Sequence, residues 1–493
     1  MLTKEPLTTE RVSYIASFDT HADGHEYGET KTPGEIEDGA LRGGDAPVYT
    51  SPEVLAILYQ YAMVGIVYGG FTVMKYPILT GYFALETNVL SSATALLTLG
   101  WSLKVVFGML NDCFPIFGYH RKPYMLIGWS LCALLLVVLA SMIYATRFVF
   151  AAIIGAICGF CLNSERFAGD FDWDIGVNGY FWILAIPSVI NIPVVWFFIK
   201  DTKHEAVQFS VYFNQLWTLV QKRAVWQVLV FNFFFNFFTG SIGSTAGSYV
   251  ALYWAKVENL NSAIMGVVGN IIFAVILYLT GMYGTHWNWR YFLTIYDVYR
   301  NQWFYLGVPV LENIPTGINF VVGTYVIVEL AESGNEGVMY GLLTTISNLP
   351  STFGSMITNI IDGSLDYNKK LIKADAPETR DQVAYSYFVA YGSVLLGCFC
   401  VFLLPNQKAA VAELKKNGGS QPKVAAAIFF ILFAVLCTSI TGNLSSMFES
   451  TRCMRLAGGA GCKEAPPSAY LAGIFVPVGL AALLIAKIAY SRR

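Results

Sequence analysis

Runs of about 20 mostly apolar residues recur along this sequence, and each is long enough to cross a bilayer as a helix. They fall near residues 53–74, 88–110, 123–145, 179–199, 226–252, 263–284, 307–330, 337–361, 383–405, 425–445 and 469–489, with a shorter run at 147–162. Inside lipid the backbone finds no water to bond, so a crossing segment must be a helix or a strand of a closed barrel. The apolar–polar alternation that barrel strands require does not occur here. The fold class that follows is an all-α polytopic membrane protein with about 12 apolar segments. Composition agrees: 55% of the 493 residues are hydrophobic and only 13% are charged, whereas soluble domains carry about 25% charged residues.

Residues 1–50 hold ten acidic and four basic residues and no apolar stretch. They read as a disordered, acidic cytosolic tail without a cleavable signal peptide. Basic residues then cluster at His120-Arg121-Lys122, at Lys200, Lys203, Lys222 and Arg223, at Lys408, Lys415, Lys416 and Lys423, and at Arg492-Arg493. The positive-inside rule places all of these in the cytosol. Two cytosolic loops are separated by an even number of crossings. Yet three apolar segments, 123–145, 147–162 and 179–199, lie between Arg121 and Lys200. Either one helix is missing there or 147–162 is re-entrant. The chain divides into a helical half at 51–200, a cytosolic linker at 201–225, a second helical half at 226–405, and an additional transmembrane hairpin with the C-terminus at 406–493. Two halves with a substrate site between them are the layout of secondary transporters. A polytopic protein without internal symmetry is the alternative.

A net charge of −2 and the lack of any basic block argue against a nucleic-acid partner. The chain shows no nucleotide-binding loop, no H-E-x-x-H and no paired carboxylates in a soluble domain. It is therefore read as a non-enzyme that needs no cofactor and no metal. Most of the nine cysteines sit in apolar segments. Cys453 and Cys462 instead flank a Gly-rich polar loop and form a candidate disulfide if that loop is extracytoplasmic. Two free thiols are the alternative.

One charge lies inside an apolar run. Lys104 belongs to GWSLKVVFGMLNDCFPIFGYHRKPY at 100–124, and a lysine at membrane depth costs about 2.5–3.5 kcal/mol on insertion scales. Gly100, Lys104 and Gly108 share one helix face, so a neighbouring helix is expected to approach closely there. Lys104 is then an anion contact or the partner of a buried carboxylate. Snorkelling to a helix end about 9 Å away is the plainer alternative. In the hinge that follows, Asp112 and the Arg121/Lys122 pair offer salt bridges to helix ends around a turn at Gly118. Exchanging such bridges would bias which side of the bundle is open. A purely topogenic basic loop is the alternative. Gly65 and Gly69 form a GxxxG face in the first helix, read as a packing surface.

The pattern K-x3-G-x3-D-x2-P-I-x-G-x2-R-K-P-Y, from Lys104 to Tyr124, resembles the folate–biopterin transporter family, a branch of the major facilitator superfamily. YQYAMVGIVYGG at 59–70, NWR at 288–290, VYRNQWFYLG at 298–307, ELAESGNEGVMYGLLTTISN at 329–348 and LLPNQK at 403–408 fit the same family. The resemblance thus covers most of residues 50–410. It implies a two-half helical bundle that moves folates and related pterins across a membrane by alternating access. Its partners would be a folate or pterin substrate, the lipid bilayer and a coupling proton. The host is read as the plasma membrane rather than an organelle membrane. Residues 146–178 and 291–306 are too short for a further helix and the full ninth span that the family has.

With a pterin in view, Lys104 is joined by Asn232 and Asn236 on one helical stripe with Thr239, and by Asn348 from a later span, as candidate substrate contacts. A pterin ring needs several donors and acceptors. Membrane asparagines also bridge helices at about 0.6 kcal/mol each, and that structural reading stays open for each of them. Gly240, Gly243 and Gly247 are placed to break or thin the same helix. Glu329, at a span boundary, is a candidate for proton coupling or for pairing with a basic loop. Two further readings accompany the folate transporter: a transporter of another organic anion or nucleoside-like solute, and a transport-inactive receptor or scaffold.

Overall fold

The computed structural model describes residues 50–141, 160–201, 203, 206–283, 314, 316–317, 320, 330, 336–405 and 408–462. The chain divides into two units, Met1–Gln60 and Tyr61–Arg493. The boundary falls inside the first helix, α1 (Pro52–Val73), and residues 52–60 are its opening turns. The rest of this section concerns the second unit.

Among the described residues the secondary structure is helical, with isolated β-bridges and no strand. Among the described residues seven helices are long and apolar enough to cross a membrane, so the chain is an integral, polytopic membrane protein. α1 runs on into a π-helical stretch, Lys75–Tyr82. There follow α2 (Thr87–Thr98), α3 (Lys104–Cys113), α4 (Lys122–Ser141), α5 (Gly176–Phe198), α6 (Phe209–Gln221) and α7 (Arg223–Asn236). The second part holds α8 (Asn259–Tyr283), α9 (Glu336–Asp362), α10 (Lys369–Ala374), α11 (Pro377–Cys400), α12 (Lys408–Asn417) and α13 (Pro422–Met447). The expected segments at 147–162, 307–330 and 469–489 lie wholly or mostly outside the described residues.

Loop contacts sort the helix ends onto two faces. On one, Tyr119 bridges Lys203 and Lys222 bridges Ser420. There the Val207 amide also donates to the Asp112 carbonyl at 3.0 Å, and Gln421 to Gln221 at 2.9 Å. This face carries the basic loops. On the opposite face, Asn259 Nδ2 donates to the Leu162 and Phe167 carbonyls at 2.9 and 2.7 Å. Lys369 Nζ donates to the Ala84 carbonyl at 2.8 Å, and Asn88 Nδ2 to the Ala457 carbonyl at 3.2 Å. The crossing count that failed in the sequence closes here. α4 leaves the basic face and α5 returns to it, packed against one another, and Asn178 Nδ2 reaches the Ala140 carbonyl at 3.1 Å. Among the described residues two crossings lie between Arg121 and Lys200, and residues 141 and 160 sit at the same end. The disulfide between Cys453 and Cys462 lies in the loop on the face opposite the basic residues.

Several expectations are corrected. The span at 226–252 is not one helix. After Asn236 the chain widens into a π-helical turn, Phe237–Ser241, leaves helical geometry, and resumes at 247–254. The linker at 201–225 contains α6, an amphipathic helix whose Tyr212, Leu216 and Trp217 are buried in the main core with Val228, Met339 and Leu343. α13 is not appended to the bundle but packs against both α2 and α9. The contact is polar: Asn443 Nδ2 donates to the Thr352 carbonyl at 2.9 Å. Nearby, Asn359 Nδ2 reaches Ser92 Oγ at 2.8 Å, and the Ser91 and Ser355 hydroxyls pair at 2.7 Å. Small polar side chains let membrane helices approach closely and bond across the gap.

Close approach is also set by glycines other than those expected. Among the described residues, nothing lies within 4 Å of a Cβ added at Gly65 or Gly69. Gly70 is the contact residue, since a Cβ there would lie 2.5 Å from Leu184 Cδ2, and its carbonyl accepts from the Tyr180 hydroxyl at 2.8 Å. On α9, a Cβ at Gly354 would lie 2.4 Å from Ser241 Cβ and 2.5 Å from the Ser241 carbonyl oxygen.

Candidate functional site

The second span is interrupted at its lysine. After Thr98 the chain tightens into a 3-10 stretch, Leu99–Leu103, and the α-helix resumes at Lys104. A 3-10 stretch inside a helix disturbs the regular bonding ladder and often marks a hinge. Here the Val105 amide donates outward, to Thr345 Oγ1 of α9 at 2.9 Å, so a neighbouring helix pins the break. Gly341 of α9 packs on the same break: a Cβ on it would sit 3.5 Å from Val105 Cα, in ordinary van der Waals contact. Among the described residues Gly100 has nothing within 4 Å of an added Cβ, and Gly108 meets the Tyr212 hydroxyl at 3.4 Å, so no described helix backbone approaches closely at those two glycines.

Lys104 is half-buried, with its ammonium 4.5 Å from the Trp101 ring centroid and 5.8 Å from that of Tyr340 on α9. Among the described residues no carboxylate forms a salt bridge with it. Each cation–π contact contributes about 0.5–2 kcal/mol, so the two rings offset much of the roughly 2.5–3.5 kcal/mol that a lysine at membrane depth costs without supplying a counter-charge. The site therefore retains a demand for negative charge. Ser102, in the same stretch, is 1% exposed and its Oγ has no hydrogen-bond partner among the described residues. Tyr68 stands edge-on to Trp101 at 5.1 Å. Beside it an apolar cleft of about 350 Å³ runs between α1 and α4, lined by Val64, Phe71, Gly128 and Trp129 among others. That lining offers aromatic faces but few donors or acceptors, so the cleft alone does not fit a pterin ring.

The three asparagines use amide hydrogens within their own helices. Asn232 donates to Val228 at 3.1 Å, Asn236 to Asn232 at 2.7 Å and Asn348 to Thr344 at 2.6 Å. Asn348 stands one turn along α9 from Thr345, so Lys104 and Asn348 belong to one helix interface. Asn232 and Asn236 lie on α7, which packs against α9. Glu329 lies outside the described residues. Lys75 escaped the sequence reading because the first span was drawn to end at residue 74. It lies within a 54–82 apolar window, half-buried, with no salt bridge among the described residues.

The hinge is organised by a residue the sequence did not single out. Gly118 holds φ +82° and Phe117 +53°, the left-handed conformation that closes the Ile116–Tyr119 turn. Asp112 lies 3.9 Å from His120 Nδ1. Arg121 and Lys122, expected to pair through their side chains, instead donate backbone amides to Asp201 Oδ2 at 2.9 and 3.0 Å. Asp201 thereby satisfies the orphan amides at the start of α4. Lys203 lies over Gly118 and 5.4 Å from the Tyr119 ring, and Lys122 Nζ lies 5.8 Å from the Trp196 ring. On the opposite face, Asp174 is taken up by Arg166, Ser164 and the Gly176 amide, while Asp170 and Asp172 are exposed.

Burial pushes the Asp201 carboxyl up, but the Lys122 and Arg121 amides and the Arg121 charge outweigh it and hold it below the usual carboxylate range. A depressed folded value means that the bond stabilises fully above the unfolded value, about 3.9, and that this is lost as pH falls through the folded one. Asp201→Ala is expected to cost about 1 kcal/mol, as loss of a helix cap does. In thermal unfolding of the purified protein, the gap to wild type should narrow once pH drops below about 4. A gap that widens in acid would contradict this account.

Residues 65–164, 100 of the 493, match the model of the BT1 family. This is the folate–biopterin transporter family that the Lys104–Tyr124 motif resembles, and the motif lies wholly within the matched segment. Over 67 residues the chain is 36% identical to Folate transporter 1 of Plasmodium falciparum (isolate 3D7), covering 14% of this chain and 13% of that protein. The match thus spans about an eighth of the length of that curated relative. No solved structure matches the chain.

Proposed function

We propose, from a chain that carries a BT1-family segment at residues 65–164, that this protein is a secondary transporter of folate or pterin compounds. It works by alternating access between two helical halves. The observation that carries the reading is Lys104, a half-buried cation without a carboxylate partner among the described residues. It stands at the break of the second span and against α9 of the second half. A planar, anionic solute answers both features of its surroundings: the carboxylate meets the ammonium, and the ring meets Trp101, Tyr340 or Tyr68. Asn348, Asn232 and Asn236 have side-chain carbonyl oxygens to offer a pterin edge. Movement of α3 relative to α2 about the 3-10 stretch, with the Asp201-capped loop as its anchor on the cytosolic face, would alternate access. A proton is the proposed coupling ion and the plasma membrane the proposed site.

The deciding experiment is uptake of labelled folate and labelled biopterin by folate-transport-deficient cells expressing the chain. Saturable uptake of either supports the reading. Surface expression without uptake of any pterin sinks it and leaves another organic anion, or a receptor, as the function.

A further inference from the structure

The non-helical stretch 242–246 sets Thr245 against the end of α9, where Asp362 is buried to 6% exposure. Asp362 Oδ2 accepts a hydrogen bond from the Thr245 amide at 2.7 Å. Its Oδ1 has no hydrogen-bond donor among the described residues, and no cation there forms a salt bridge with the carboxyl. The surroundings are hydroxyls. The Thr245 hydroxyl lies 2.9 Å from the Tyr367 phenol, and the Ser244 hydroxyl lies 2.6 Å from that of Ser386 on α11. Among the described residues Tyr367 is the titratable group that faces Asp362, and its phenol and the Thr245 hydroxyl interact with the carboxyl. The stretch before α8 contributes Thr245 and Ser244, α11 contributes Ser386, and the disulfide loop contributes Gly458 against Gly363. None of these titrates.

Holding Thr245 needs one oxygen, and an asparagine would supply it without a charge. A buried carboxylate with no cation beside it among the described residues is costly as an anion even with the Thr245 and Tyr367 groups around it, and its free oxygen is where a proton removes that cost. Gly363 and Ser364, directly after Asp362, are exposed, so bulk water begins one residue from the buried carboxyl on the face opposite the basic loops. We propose that Asp362 is a proton-binding site on that face, taking one proton from bulk water at Oδ1 and returning it when the site reopens. Protonation converts the carboxylate to a neutral acid. The charge-assisted bond to the Thr245 amide then weakens and α9 is released from the 242–246 stretch. The proposal rests on the transporter reading for its use, but not for its chemistry.

Infrared difference spectroscopy of the full chain in lipid nanodiscs, titrated from alkaline to acidic pH, is expected to show a protonated-carboxyl band that Asp362→Asn loses. In proteoliposomes, Asp362→Asn is expected to lose the pH dependence of folate uptake while keeping folate counterflow exchange. A band that persists in Asp362→Asn, or an unchanged pH profile, overturns the proposal. Should Asp362→Asn fail to fold, Asp362→Glu must shift the midpoint of the band, and an unshifted midpoint overturns it equally. Loss of the band without transport of any pterin by wild type retires the transporter reading alone.

Discussion

Lys104→Ala is expected to lower folate or pterin uptake about 10- to 100-fold, the loss of one charge-assisted contact of about 1.5–3 kcal/mol. Lys104→Arg keeps the charge and should retain part of the activity, but it changes the shape offered to the anion and so should not restore it fully. The same alanine variant should unfold at an equal or higher temperature than wild type. It removes a charge whose burial costs at least about what the Trp101 and Tyr340 rings together return. This opposite movement of activity and stability separates a substrate contact from a structural lysine. A structural role predicts that both fall together. Wild-type uptake by Lys104→Ala, measured at matched surface expression, would remove Lys104 from the site.

The second large effect is expected at the α7–α9 crossing. Gly354→Val places a Cβ within 2.5 Å of Ser241 Cβ and carbonyl, and the carbonyl belongs to backbone that cannot move aside as a flexible side chain would. Overpacking of this kind costs roughly 1–3 kcal/mol and sometimes more, here at the π-helical turn Phe237–Ser241 that ends α7. The expected result is loss of most monodisperse protein in detergent. Gly65→Val, with nothing within 4 Å, should behave as wild type in the same measurement. Equal yields from the two variants would show that the crossing is looser than its geometry implies.

Much of the fold was legible because a bilayer imposes a one-dimensional rule. A run such as 425–445 must be a helix whatever surrounds it, and α13 is one. Lys104 was legible for the same reason, since a charge in an apolar run stands out by cost alone. Lys75 was missed because it lies just beyond the end assigned to its span, and Asp362 and Asp201 because each stands in a polar turn where an acid is unremarkable. What distinguishes those acids is a partner more than 70 positions away: Thr245 for one, and Arg121 and Lys122 for the other. The GxxxG pattern at Gly65 and Gly69 shows which residues share a face, not which face meets a neighbour; among the described residues Gly70 is the one in contact.

By itself the sequence determined an all-α membrane protein, its basic face, and a lysine-bearing motif of the folate–biopterin transporter type. These follow from transfer free energies and residue order, which are local quantities. Only the tertiary structure decided that the second span breaks at Lys104, that Thr345 of α9 holds that break, and that α13 packs against α2 and α9. The reason is that lipid and protein are nearly equally apolar to a membrane helix. Hydrophobicity therefore places helices in the bilayer without choosing their partners, and the choice falls to close packing and single hydrogen bonds between residues far apart in the chain.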